Sequence, residues 1–443
     1  MELTDGSRVA VVGGGPAGSF VSFFLLETAS RTDLKLQVDI YESKDFSKTG
    51  PPGCNHCGGI ISESLVQMLA TEGINLPDAV VQRGIDSYVL HSDVGTVRID
   101  TPLFEKRIAA VYRGSGPKGS HLVGWQSLDG YLLELACSAG ATLIQRRVES
   151  ITSQDGRPVI QAKEAEPRTY DLVIGAVGVN SPSLKIFEGL GFNYEQPKTT
   201  KTFISEFHYG DELIRQYLGS SMHVFLLPLP RLEFAALIPK GEYATLCLLG
   251  HDIDRELVER FLAHPAVRSC FPPEWETPTG VCQCLPKINF GGAKHFFSDR
   301  AVMIGDCGVT RLFKDGIGAA YRTAKACATT IVFDGVSAEA FGRFYSKACR
   351  DLARDNAIGK VVFSVVTLFR LLKVLRRGMV IMIDREQNSR SGDRPMSTVL
   401  WDTFTGSAPY KDILLRALHP GFLLRLTGDT FKALLNRGQR LRY

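Results

Sequence analysis

The sequence predicts an α/β protein, and three observations carry that prediction. An apolar run, Val9 to Val12, breaks into Gly13-Gly-Gly15-Pro16-Ala17-Gly18, and a segment rich in Phe, Val and Leu follows. A second apolar run, Leu36-Gln-Val-Asp-Ile-Tyr, ends in an acid, Glu42. Far downstream, Arg300-Ala-Val-Met-Ile ends in Gly305-Asp306, and Gly316-Ile317-Gly318 opens a run of small residues. Strand, glycine turn and helix in that order make a Rossmann-type lobe for a dinucleotide. Segments of alternating apolar and polar residues predict a second lobe with a mixed or antiparallel sheet, and the C-terminal region reads as helical.

In the first motif Gly13 permits the tight turn, Gly15 lets backbone approach phosphate, and Gly18 lets helix pack on strand. Pro16 and Ala17 lie at the start of the helix, whose free N–H groups and partial positive charge suit a pyrophosphate. Glu42, 24 residues after Gly18, suits a ribose hydroxyl pair, with the loop from Ala29 to Lys35 absorbing the extra length. Residues 44 to 63 are too dense in Pro and Gly for regular structure, until Ser62 or Ser64 caps a helix running to Ala70. Cys54-x-x-Cys57 and His56 fall in this loop, and three readings stand open. A zinc or iron–sulfur site would recruit Cys282-x-Cys284, a redox disulfide would need only the loop pair, and Cys57-Gly58-Gly59 could instead lie against the cofactor.

Residues 80 to 124 alternate as strands do. Ser127 is a plausible N-cap for a helix ending at Gly140, and Thr142 starts another strand. Asp171 to Gly178 reads as a buried strand ending in small residues. Residues 200 to 250 read as antiparallel strands, compatible with the floor of an apolar substrate chamber and with a plain sheet core. After Gly305, Asp306 can accept hydrogen bonds from a ribityl chain, and the helix opening at Gly316-Ile317 can donate N–H groups to an electron-rich ring carbonyl.

With 443 residues the chain can bury a large core in two or more lobes. The expected division is a discontinuous cofactor domain (1–75, 125–190 and 285–340), a substrate domain (76–124 and 191–284) and a basic helical region (341–443). The first strand starts within a few residues of Met1, so no signal or transit peptide is expected. Ten irregularly spaced cysteines then point to reduced thiols in a cytosol. Residues 341 to 443 hold 19 Lys and Arg against 8 Asp and Glu, a net of +11, whereas the rest holds 32 against 39, a net of −7. A basic region on an acidic body predicts an anionic surface as partner.

The apolar stretch from Ile358 to Ile383 is long enough to span a bilayer. Arg370, Lys373, Arg376 and Arg377 would then sit near its middle, at about 2.5–3.5 kcal/mol each, more than its Leu and Val residues return. A helix lying in the interface, its cations at lipid headgroups, is the expected alternative, with packing on the protein's own body as the competing one.

Together the motifs resemble the flavoproteins that bind FAD as aromatic hydroxylases do, and within them the geranylgeranyl reductase family. The residues that carry the resemblance are Gly13 to Gly18, Glu42, Cys57-Gly58-Gly59, Asp129, Gly140-Ala141, Gly305-Asp306 and Gly316-Ile317. It implies FAD as cofactor, with Gln126 and Val148 completing the expected contacts, and NAD(P)H or another reductant as transient donor. Hydroxylases carry an acid where this chain has Val177, which weighs against monooxygenation. The reductases usually place an Arg four residues before Asp129, where this chain has Trp125, and often a Tyr-x-Trp-x-Phe-Pro motif, of which the segment at Phe234 to Pro239 lacks the Trp.

The resemblance implies reduction of double bonds in a membrane-soluble isoprenoid or related lipid, with Cys57 as candidate acid. The expected site is cytoplasmic, peripheral on the membrane, and without nucleic acid. A flavoprotein passing electrons from a soluble donor to a membrane quinone is the alternative, followed by a monooxygenase.

Overall fold

The computed structural model describes residues 1–54, 58–102, 108–120, 125–275, 281–389 and 392–435. The chain divides into two units, each assembled from three separate segments.

The first unit comprises Met1–Asn55, Arg113–Thr199 and Lys287–Arg354. Its main sheet runs in the order Phe297–Ser298, Ala301–Met303, Leu172–Gly175, Arg8–Val12, Gln37–Tyr41, Thr142–Ile144. All neighbours are parallel except the first pair. Val9 to Val12 are buried on both faces, which is why this strand reads as a continuous apolar run. On one face the helix Pro16–Arg31 packs along the helix Gly316–Phe333. Ala320, Ala324 and Ala328 leave room there for Phe20 and Phe24, which meet Tyr321 edge-on at 5.7 and 5.3 Å. A smaller antiparallel sheet (Val148–Gln154, Arg157–Ala162, Arg168–Thr169) supplies apolar side chains to the other core.

The second unit comprises His56–Tyr112, Thr200–Pro286 and Asp355–Tyr443. Its larger sheet follows the order Gln283–Cys284, Thr199–His208, Tyr243–Gly250, Leu232–Lys240, Ser221–Phe225, Ser87–Ser92, Gly95–Asp100. Only the pairing of Ser221–Phe225 with Ser87–Ser92 is parallel. Alternate residues point to opposite faces. Ala235, Leu237, Leu246 and Leu248 therefore enter one core with Phe261 and Phe271, while Ala236, Ile238, Thr245 and Cys247 line the opposite face.

Segment boundaries differ from expectation, and the middle segment of the first unit runs Arg113–Thr199 in place of 125–190. Residues 58 to 75 group with the second unit, because Ile60–Ile61 pairs with Ile108–Val111. The basic region is helical but not separate: its first residues belong to the first unit and Asp355–Tyr443 to the second. There the helices Lys373–Asn388, Pro395–Thr405, Tyr410–Ala417 and Pro420–Leu435 pack on one another, and the first of them also packs on the strand Gly95–Asp100. None of the described helices is long and apolar enough to cross a membrane.

The expected interface helix is corrected in its register. The apolar stretch breaks at Leu372 into the helices Ser346–Leu371 and Lys373–Asn388. Arg370 donates to the carbonyl of Leu229 at 2.9 Å, and Arg376 pairs with Asp93, so two of the four cations face protein.

Candidate functional site

In the first unit the glycine turn is held between strand ends. Gly13 N–H donates to the carbonyl of Tyr41 and Ala176 N–H to that of Val12, at 2.9 and 2.8 Å. Gly13 has φ +109°, and a Cβ there would lie 2.5 Å from the carbonyl oxygen of Ala176. At Gly18 a Cβ would lie 1.8 Å from the carbonyl oxygen of Gly13, so helix and turn touch backbone to backbone. The helix begins at Pro16 behind Gly15, with no capping side chain and no acid in its first turn. Its N–H groups at Ala17 and Gly18 are thus left for an anion.

Glu42 closes this turn. Its carboxylate accepts from Gly14 N–H at 2.9 Å and from Lys44 N–H at 2.8 Å. Each oxygen retains lone-pair capacity for a ribose hydroxyl. Ser127 caps the helix Leu128–Ser138 by accepting from Gly130 N–H. Within that helix the fully buried Asp129 takes a two-pronged pair from Arg113, at 2.8 and 2.7 Å. Trp125 stands four residues before Asp129, and the guanidinium that pairs with Asp129 is that of Arg113.

At the end of Ala301–Met303, Gly305 and Asp306 form a short 3-10 turn. Burial raises the Asp306 carboxyl above its usual range, opposed by Thr310 and by the charge of Arg113. Gly316 opens its helix close by, where a Cβ would lie 3.8 Å from Asp306 Oδ1. Asn289 donates to the carbonyl of Asp306 at 2.7 Å, and its buried Oδ1 has no partner among the described residues. The uncapped helix start, the glycine approaches and this orphaned acceptor fit a bound dinucleotide. Gln126 pairs with Glu134 at 2.8 Å, and Val148 is buried in the core that holds Tyr41 and Ile160.

The second unit carries a different constellation. Gly58 faces the sheet, where a Cβ would lie 3.2 Å from Cys247 Sγ. A Cβ on Gly59 would lie 2.8 Å from Lys240 Nζ. Lys240, almost fully buried, stands over the ring of Tyr112 at 4.9 Å. Glu206 lies opposite Thr245, which donates to its Oε2 at 2.8 Å. Burial raises the Glu206 carboxyl above the usual range, with Lys240 and Thr245 opposing, and burial lifts the Tyr112 phenol well above its own. From this polar end the face continues through Ile238 and Ala236 to Phe234, which stacks on Phe363 and meets Phe404 at centroid distances of 6.4 and 6.2 Å. The six steps of strand from Lys240 to Phe234 make that strip about 20 Å long.

Cys57 and His56 lie outside the described residues. Among the described residues, Cys54, Cys282 and Cys284 are not joined to one another in a disulfide. Among the described residues, converging metal-ligand atoms occur at His91, His223 and Cys270 and not at these cysteines. Glu206 and Lys240 escaped the sequence reading because they lie on different strands and only sheet register brings them to one face; Lys240 after Pro239 was the available signal.

No family model matches the chain. It is 25% identical over 343 residues to a geranylgeranyl diphosphate reductase of Synechocystis sp., covering 73% of this chain and 75% of the relative. A geranylgeranyl bacteriochlorophyll reductase-like structure from Thermoplasma acidophilum superposes with a TM-score of 0.66 at 14% identity, over 96% of this chain and all of the other. The chain is thus similar in sequence to a geranylgeranyl diphosphate reductase and in fold to a geranylgeranyl bacteriochlorophyll reductase-like protein. A flavin-dependent brominase gives a TM-score of 0.60 at 13% identity over 98% of this chain and 100% of its own. A p-nitrophenol 4-monooxygenase from Pseudomonas putida gives the same TM-score and identity over 92% and 100%. The chain therefore shares its fold with these three proteins.

Proposed function

We propose that this FAD-dependent oxidoreductase reduces carbon–carbon double bonds of an isoprenoid or related apolar lipid. The observation that carries the reading is the apolar strip from Phe234 to Ile238 ending at the half-buried Glu206 and the buried Lys240. The Synechocystis relative, named for reduction of geranylgeranyl diphosphate, supports the same substrate class.

When bound, reduced flavin supplies a hydride to one alkene carbon. The chain's residues do the rest. Ala17 and Gly18 N–H groups hold the pyrophosphate, Glu42 holds ribose hydroxyls, and Asp306 takes the ribityl chain. Phe234, Ala236 and Ile238 exclude water from the alkene. Glu206, its carboxyl raised by burial, holds the proton that the second alkene carbon receives, and Thr245 orients it. Cys57 remains a second candidate for that proton. Electrons come from NAD(P)H or another transient donor.

For substrate delivery, Val361, Val365, Leu368 and Leu371 leave 50, 42, 49 and 60% of their surface exposed, along one helical face. This row, with the exposed Lys373 beyond it, is the proposed contact with an anionic lipid surface.

The test is anaerobic. The purified protein is reduced and mixed with geranylgeranyl diphosphate, and flavin reoxidation is followed alongside product mass. Reoxidation with a gain of two hydrogens per double bond is expected. Reoxidation by oxygen alone, with no prenyl product across free and lipid-bound isoprenoids, would reject the substrate class.

A further inference from the structure

The larger sheet of the second unit holds a cluster that the redox reading does not use. His91 Nε2 lies 2.9 Å from His223 Nδ1, and Cys270 Sγ lies 3.6 Å from the former and 3.4 Å from the latter. The three residues come from the strand Ser87–Ser92, its parallel neighbour Ser221–Phe225, and the turn after the helix Pro265–Arg268. All three are buried, with at most 6% of their surface exposed.

We propose that His91, His223 and Cys270 form a three-coordinate site for monovalent copper. Bonds as long as those zinc makes, about 2.0–2.1 Å to nitrogen and 2.3 Å to sulfur, would place the corners of a trigonal site about 3.5 Å apart for the two nitrogens and about 3.7 Å for nitrogen and sulfur. Cys270 already stands near those separations, and the two imidazoles need open by only about half an ångström.

The far side of each ring supports the same geometry. His223 Nε2 faces the carbonyl of Leu218 at 3.4 Å. A carbonyl only accepts, so this nitrogen carries the hydrogen and leaves the Nδ1 lone pair pointing inward. His91 Nδ1 lies 3.2 Å from Thr96 Oγ1, a hydroxyl that can donate or accept. Without metal, His91 Nε2–H donates to His223 and Thr96 donates to His91. With metal, the hydrogen moves to His91 Nδ1, donates to Thr96, and frees Nε2 as a ligand. These are the outer partners that orient metal-binding imidazoles.

Charge selects the ion. Phe225 stacks on His91 at 4.8 Å, and Phe261 meets Phe225 edge-on at 5.3 Å, so the surroundings are apolar. Among the described residues the ligand group contains one thiol, two imidazoles and no carboxylate. A divalent ion with one thiolate would leave an uncompensated positive charge there, whereas a monovalent ion with one thiolate is neutral. Thiolate is also a soft ligand that favours Cu(I). Binding releases one proton, from Cys270, and involves no change of oxidation state.

The experiment titrates full-length, FAD-loaded protein anaerobically with Cu(I) as its acetonitrile complex, against bicinchoninate as competitor, and with Zn(II) in a parallel series. One equivalent of Cu(I) retained against the competitor is expected, lost in Cys270→Ser with FAD content unchanged. Thr96→Val, which keeps all three ligands, should weaken retention about 10–100-fold. Should Cys270→Ser fail to fold, His91→Gln reads the same loss. Equal retention by the wild type and the ligand variants would assign the copper to the other thiols and overturn the site. Preferential, Cys270-dependent binding of Zn(II) would overturn the choice of copper. Neither result bears on the prenyl-reduction reading.

Discussion

Arg376 donates from Nε and Nη2 to the two carboxylate oxygens of Asp93, at 2.7 and 2.9 Å, although 283 positions separate them in the chain. The pair ties the helix Lys373–Asn388 to the turn between two sheet strands. The arginine keeps 3% of its side-chain surface exposed and the aspartate 25%. Breaking a buried pair costs about 3–5 kcal/mol, and the partial exposure of Asp93 puts this one near the lower end. Arg376→Met should therefore lower the thermal midpoint in a calorimetric scan, with liposome binding of the surviving folded fraction unchanged. Unchanged stability with lost liposome binding would instead return Arg376 to the headgroups.

The exposed row on the preceding helix gives the complementary variant. Val365→Asp combined with Leu368→Asp should abolish co-sedimentation with anionic vesicles and leave the melting temperature within error. Both positions already face solvent, so a large loss of stability would mean that the row packs on something other than lipid.

Gly13→Ala tests the cradle. The new methyl would meet the Ala176 carbonyl oxygen at 2.5 Å from a φ of +109°. The turn must shift, and the FAD-to-protein absorbance ratio should fall at least about tenfold, since ~1–2 kcal/mol of left-handed strain is joined by a backbone clash. An undiminished ratio would move the pyrophosphate away from this turn.

Glu206→Gln carries the proton-transfer reading. Loss of a positioned acid should slow prenyl reduction by about 10²–10⁴-fold in single turnovers, with flavin reduction itself intact. The sign of the pH effect follows from the raised carboxyl. Wild-type turnover should decline as pH rises through the raised value, and the variant should lack that limb. The same shift acts on stability: the folded state holds the proton longer than the unfolded one. Its contribution is therefore full below the ordinary glutamate value of about 4.3 and is lost as pH rises through the folded one. Melting curves between pH 5 and 8 should show the variant gaining on the wild type toward higher pH.

Arg113→Ala leaves the fully buried Asp129 carboxylate without its guanidinium. Unfolding in denaturant should show a loss of about 3–5 kcal/mol. Asp129→Asn combined with Arg113→Gln should recover part of it, because a neutral hydrogen-bonding pair leaves no buried charge.

What could be read in advance followed local chemistry. The turn at Gly13, the acid at Glu42, the caps at Ser62 and Ser127 and the opening of the Gly316 helix each depend on residues a few positions apart. The same text hid what depends on distant partners. Arg370 and Arg376 looked like cations on a membrane face because Glu233 and Asp93 lie far upstream. Arg113 could not be matched to Asp129 because a loop and a helix start carry them, nor Glu206 to Lys240, because strand register and not spacing brings those two to one face.

The three-segment make-up of each unit has a consequence for synthesis. The strand Arg8–Val12 leaves the ribosome early, yet its sheet cannot be completed until Ala301–Met303 emerges to pair with Leu172–Gly175. The second unit waits longer, for the helix that carries Arg376. Parallel pairing across such separations is slow, so the nascent chain holds unpaired apolar strands for much of its translation.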